Sequence, residues 1–138
     1  MKNRIFDSKC ILSVVLFTAL LVVFCPTTKA QVSVTFKVNL QPQLKDSIFV
    51  PGRDQAYLKG NVFPLTNTKK VYLRDKAPTD SVYEAIVDFP SSAAGKKLQF
   101  GYFIQTPDKV MKEQMPRYIE LRKGKRELDA LYFDTFAW

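Results

Sequence analysis

The chain is expected to fold as an all-β antiparallel sandwich of seven or eight short strands behind a secretory leader. Three observations predict this. Apolar and polar residues alternate with a two-residue period in several windows. Turns containing Gly, Pro or Asp separate those windows. No window of useful length repeats apolar residues at helical spacing. Regularly spaced short strands of this kind build a two-sheet sandwich.

Residues 1–30 of the 138 read as a signal peptide. Lys2, Arg4 and Lys9 make a basic start, Ile11 to Phe24 is apolar apart from Ser13 and Thr18, and Thr28-Lys29-Ala30 places small residues where a signal peptidase inspects them. The apolar stretch falls short of the roughly 20 residues that a spanning helix needs. An uncleaved anchor is the first alternative. A lipoprotein at Cys25 is the second, and the bulky Phe24 before that cysteine argues against it. Cleavage after Ala30 removes four of the 21 basic and one of the 13 acidic residues, leaving a net charge of about +5 and no stable membrane span. Such a product is secreted or periplasmic, where nucleic acid is not an expected partner.

The remaining chain, Gln31 to Trp138, forms one domain. Val32 to Leu40 alternates strictly, with Val32, Val34, Phe36, Val38 and Leu40 on one face. Gln41 to Asp46, polar and containing Pro42, is a connection. Ser47 to Val50 is expected as a short extended piece before the Pro51-Gly52-Arg53-Asp54 turn. Gln55 to Lys59 is a strand ending at Gly60, and Phe63-Pro64-Leu65 lies in an irregular stretch. Lys69 to Arg74 is strand-like. Ser81 to Phe89 places Tyr83, Ala85, Val87 and Phe89 together, and Lys97 to Gln105 turns Leu98, Phe100, Tyr102 and Ile104 inward. Thr106 to Pro116 is expected as a loop, Arg117 to Arg122 as a strand, Lys123-Gly124-Lys125 as a hairpin turn, and Leu128 to Phe136 as the closing strand.

The order of these motifs is familiar. The chain runs Val34-Thr-Phe-Lys-Val-Asn-Leu40, then Phe49, Pro51 and Asp54, then Ala56-Tyr-Leu-Lys-Gly60. Tyr83-Glu-Ala-Ile-Val87 and Leu98-Gln-Phe-Gly-Tyr-Phe-Ile104 follow, with Glu113 four residues before Arg117. This resembles the starch-binding domain of carbohydrate-binding module family twenty and its relatives on secreted bacterial proteins, over nearly all of Val32 to Trp138. The resemblance implies an immunoglobulin-like sandwich and a non-catalytic, glycan-binding role. In the family a pair of tryptophans forms a platform for glucose rings. Here the first region reads Asn61-Val62-Phe63-Pro64, and Lys112 precedes Glu113. Carried over position by position, the candidate ligand-binding residues are Phe63 for stacking, with Lys112, Glu113 and Arg117 as polar neighbours.

Composition removes much chemistry. There is no His, and both cysteines, Cys10 and Cys25, lie in the leader, so the mature chain has no imidazole base, triad or thiol. It carries no phosphate loop, nucleophile elbow or calcium loop. Glycoside hydrolysis needs two carboxylates held across a cleft, and a sandwich this small offers little cleft. A non-enzyme without cofactor or metal is expected, with a polysaccharide or oligosaccharide as partner. The alternative is a protein-interaction module recognising an envelope protein through a strand edge and the Phe136 to Trp138 tail.

Aromatic faces suit sugars because they give apolar contact with little loss of rotamer freedom. Phe36, Phe89, Phe100, Tyr102 and Phe133 are expected in the core. Phe63, Phe103, Tyr118, Tyr132 and Trp138 are the candidates for outward stacking. Phe103 opposes Phe100 and Tyr102 in the alternation, and Gly101 beside it leaves its face open. The basic groups Lys69-Lys70, Lys96-Lys97 and Arg122 to Arg126 are read as solvated charges that protect strand edges.

Overall fold

The computed structural model describes residues 31–135; the leader and the tail residues Phe136 and Trp138 lie outside them. The strands are β1 (Val32–Asn39), β2 (Gln55–Gly60), β3 (Val71–Tyr72), β4 (Arg74–Asp75), β5 (Val82–Phe89), β6 (Lys97–Gln105), β7 (Val110–Lys112), β8 (Arg117–Glu120), β9 (Gly124–Glu127) and β10 (Leu131–Tyr132). One sheet runs β10-β1-β5-β4, with β9 also on β1. The other runs β3-β2-β6-β7, with β8 also on β6. Their apolar faces pack together, so the chain is the expected all-β sandwich.

The alternation read in the sequence supplies both inner faces. Val32, Val34, Phe36, Val38 and Leu40 from β1 and its end are buried, as are Leu98, Phe100, Tyr102 and Ile104 from β6. Phe36 of the first sheet meets Phe100 of the second edge-on, at 5.0 Å between ring centroids and 74°. Edge-to-face pairs add about 0.5–1.5 kcal/mol beyond the buried area. Phe133 packs against this core but is only partly buried. The Tyr102 hydroxyl crosses the core and donates to the Lys37 carbonyl at 2.8 Å. On that edge of β1, Leu128 N–H donates to the Thr35 carbonyl and Phe133 N–H to the Asn39 carbonyl. The tyrosine therefore satisfies the carbonyl that falls between β9 and β10.

Several local expectations give way to tertiary pairing. The described residues hold ten strands rather than seven or eight, because two runs divide between the sheets. Val71–Tyr72 pairs with β2 and Arg74–Asp75 with β5. Leu73 between them is buried, and its N–H donates to the Ala56 carbonyl at 2.9 Å. Arg117–Glu120 pairs with β6, Leu121 is buried, and Gly124–Glu127 then pairs with β1. The Lys123-Gly124-Lys125 hairpin is therefore absent: the chain crosses between sheets there. Strands β9 and β10 both lie parallel to β1, so the sandwich is antiparallel-rich rather than wholly antiparallel.

Gln41–Lys45 forms a short helix, α1, with Pro42 in its first turn, where a missing N–H costs nothing. Ser47 to Val50 does not extend. The Ile48 and Phe49 N–H groups both return to the Gln43 carbonyl, which swings Phe49 into the core against Tyr83. The expected Thr106 to Pro116 loop contains β7, because Thr106 and Lys109 close a tight turn that folds Val110–Lys112 back on β6. No helix among the described residues is long and apolar enough to cross a membrane.

Candidate functional site: a groove on the second sheet

Alternation on β2 and β6 that sends Ala56, Leu58, Phe100 and Tyr102 inward sends Tyr57, Lys59, Gly101 and Phe103 outward. Register places Tyr57 beside Phe103 and Lys59 beside Gly101. Phe103 in turn stands beside Lys112 of β7, and Tyr57 beside Tyr72 of β3. The Tyr57 and Phe103 rings stack at 5.1 Å, 4° from parallel. Next to this pair Gly101 carries no side chain, and a Cβ there would meet nothing closer than the Phe103 ring at 4.0 Å, although the glycine itself is buried among its neighbours. The result is a groove of about 420 Å³ whose lining includes Lys59, Asn61, Gln99, Gly101, Phe103 and Lys112.

The rim is positioned through Gly60. A Cβ there would lie 3.0 Å from the Gln99 carbonyl oxygen, 3.1 Å from Leu98 and 3.2 Å from Leu65. Only glycine lets the chain pass this close to β6. Asn61 then locks on: its N–H donates to the Gln99 carbonyl at 3.1 Å, and its Oδ1 accepts the Gln99 N–H at 2.9 Å. The Asn61 amide nitrogen makes no hydrogen bond among the described residues. Burial pushes the Tyr57 phenol up from its ordinary pKa, with Tyr72 adding to the effect.

The four residues carried over from the family resemblance separate in space. Phe63 is 72% exposed, at the tip of a turn closed by the Val62–Leu65 bridge and anchored by buried Leu65. It follows Asn61 in the chain but does not line the groove. Lys112 does line it, with its ammonium 5.9 Å from the Phe103 centroid. Glu113 borders the same groove, yet it is only 3% exposed and its carboxylate is fully engaged. Its Oε2 accepts from the Tyr102 N–H at 3.1 Å and from Arg117 Nε at 3.2 Å, and its Oε1 from Arg117 Nη2 at 2.6 Å and the Asp134 N–H at 3.0 Å. Four donors fill the four lone-pair sites of a carboxylate.

Arg117 also donates to the Tyr132 carbonyl at 3.0 Å, and its guanidinium lies 4.8 Å from the Tyr102 ring centroid. Glu113 and Arg117 thus form a clasp joining β6, β8 and the segment after β10. Arg117 lines a second, apolar groove of about 530 Å³ with Tyr118, Ile119 and Leu131.

Lys59, Asn61 and Gln99 escaped the sequence reading, although the Tyr57–Lys59 alternation against Ala56 and Leu58 carried a signal for Lys59. Tyr118 and Tyr132 are half exposed, as anticipated. Trp138 lies outside the described residues.

Comparison with known proteins supports the fold. A chain of Hormoconis resinae glucoamylase superposes with a TM-score of 0.59 at 18% identity. The match covers 79% of this chain and 18% of that one, so the matched part of this chain corresponds to less than a fifth of the larger protein. No family model matches the sequence, and no curated protein matches it either.

Proposed function

We propose that this chain is a non-catalytic carbohydrate-binding module, starch-binding-like in build, belonging to a secreted or envelope protein from which residues 1–30 are removed. The observation that carries the reading is the side-chain-free Gly101 beside the partly exposed Phe103 ring, which is backed by the buried Tyr57 and rimmed by the amides of Asn61 and Gln99. A pyranose ring offers an apolar C–H face to an aromatic wall and hydroxyls to amide groups. The glycine leaves room for the ring, and the sheet holds the wall rigid, so little freedom is lost on binding. The fold likeness to a stretch of a glucoamylase points the same way. Phe63, held out on its anchored turn two residues after Asn61, supplies a second apolar surface.

Native gel electrophoresis through amylopectin and other neutral polysaccharides tests this. Phe103→Ala is expected to weaken retardation about tenfold, since an aromatic contact near 1.4 kcal/mol converts to that factor. Phe63→Ala gives a smaller loss. Unaltered retardation in Phe103→Ala, with the fold intact, would remove the groove from the reading.

A further inference from the structure

The groove is unusually cationic for a sugar site. Lys59 Nζ lies 5.6 Å from the Phe103 centroid and 5.8 Å from that of Tyr57. Lys112 Nζ approaches the same Phe103 ring at 5.9 Å, and Lys70 Nζ lies 4.9 Å from the Tyr57 ring. Some cations elsewhere meet carboxylates, while others, Lys69 and Lys97 among them, form no salt bridge among the described residues. Lys37 meets Glu84 and Glu127, Lys76 meets Glu84, Arg53 meets Asp54, and Arg117 meets Glu113. Among the described residues, Lys59, Lys70 and Lys112 form no salt bridge to a carboxylate. The carboxylate bordering the groove, Glu113, is neutralised within its own clasp. Lys70 Nζ donates to Gln105 Oε1 at 2.7 Å and does not line the groove, whereas the Lys59 and Lys112 ammonium groups border it beside one ring, so an anion placed between them is attracted by both.

We infer that the groove takes an anionic saccharide, with the sugar ring over Gly101 against Phe103 and its carboxylate or sulfate between Lys59 and Lys112. The inference rests on the carbohydrate-binding reading and deepens it by naming the ligand's charge. Register supports the placement. Lys59 flanks Gly101 on one side, and Lys112 flanks Phe103 on the opposite side, two residues along β6. The two cations therefore stand on opposite sides of β6, beside Gly101 and Phe103. A substituent on one ring edge reaches either of them while the ring face stays on the phenyl group. Asn61 and Gln99 remain for hydroxyls.

The test uses the purified protein in affinity electrophoresis and calorimetry with polygalacturonate oligomers, dextran sulfate and, as the neutral arm, dextran and amylopectin. Tighter binding to either anionic probe than to the neutral polymers is expected, and the stronger of the two identifies uronate or sulfate as the recognised group. Lys59→Gln/Lys112→Gln should weaken the anionic arm about tenfold or more while leaving neutral binding within about twofold, because only charge-assisted contacts are lost. Lys123→Gln/Lys125→Gln, on the exposed crossover, should change neither arm. Raising salt toward 1 M, where the Debye length falls to about 3 Å, should erase the anionic advantage.

Equal binding of neutral and anionic probes overturns the inference and leaves the carbohydrate reading standing. A loss in the crossover variant as large as in the groove variant overturns it as general charge attraction. No binding to any polymer overturns both. Unchanged thermal melting in the variants shows that the fold persists, since Lys59 and Lys112 reach the surface.

Discussion

Replacing Glu113 with Gln separates structural from ligand roles for this residue. The side chain is 3% exposed and accepts four hydrogen bonds, two of them from the Arg117 guanidinium. A glutamine oxygen can keep two of these, but its NH2 group then faces donors. Hydrogen bonds to charged groups contribute about 1.5–3 kcal/mol each, and breaking a buried pair by removing one partner costs about 3–5 kcal/mol. The Arg117 side chain is 16% exposed, so water repays part of its loss. A destabilisation of about 2–4 kcal/mol is expected, which for a domain of this size lowers Tm by about 10–20 °C. Urea denaturation followed by tryptophan-independent far-ultraviolet dichroism reads the change. The cycle completed with Arg117→Met isolates the coupling between the two side chains. A loss under about 1 kcal/mol together with abolished sugar binding would refute the clasp and return Glu113 to the ligand.

Two further outcomes follow from buried polar groups. Tyr102→Phe leaves the Lys37 carbonyl without its donor between β9 and β10, and is expected to cost about 1–2 kcal/mol in urea denaturation; no measurable loss would show that water replaces the hydroxyl. The Asp54 carboxyl lies below the usual carboxylate range, chiefly through its hydrogen bonds from Arg53, with the Val50 N–H adding to them. Its stabilisation is therefore complete above the ordinary Asp value of about 3.9 and is lost as pH falls through the lower folded value. Asp54→Asn should flatten the acid limb of the stability curve below about pH 4, and an unchanged slope in that variant would place the acid sensitivity elsewhere.

Much of the fold was legible because burial in a sandwich writes itself locally. The five inward residues from Val32 to Leu40 and the four from Leu98 to Ile104 show the period directly, and every one of them is buried. Half of the groove was legible for the same reason: the outward Phe103 beside Gly101 follows from the inward Phe100 and Tyr102. Family resemblance singled out Lys112, which borders the groove, and Glu113 and Arg117, whose engagement with the Asp134 N–H and the Tyr132 carbonyl comes from far along the chain. No local pattern announces that a carboxylate will be covered by a segment 21 residues later.

Local hydrophobic period by itself determined that this chain makes two stacked sheets, and which residues face between them. Tertiary structure alone decided where each short run pairs. Leu73 and Leu121 carry the chain from one sheet to the other because both open edges needed a strand, and a leucine at each crossing fills the core as the backbone changes partner. Edge availability is a property of the assembled layers, so the parallel seat of β9 on β1, and the clasp that closes over Glu113, arise only when both sheets are in place.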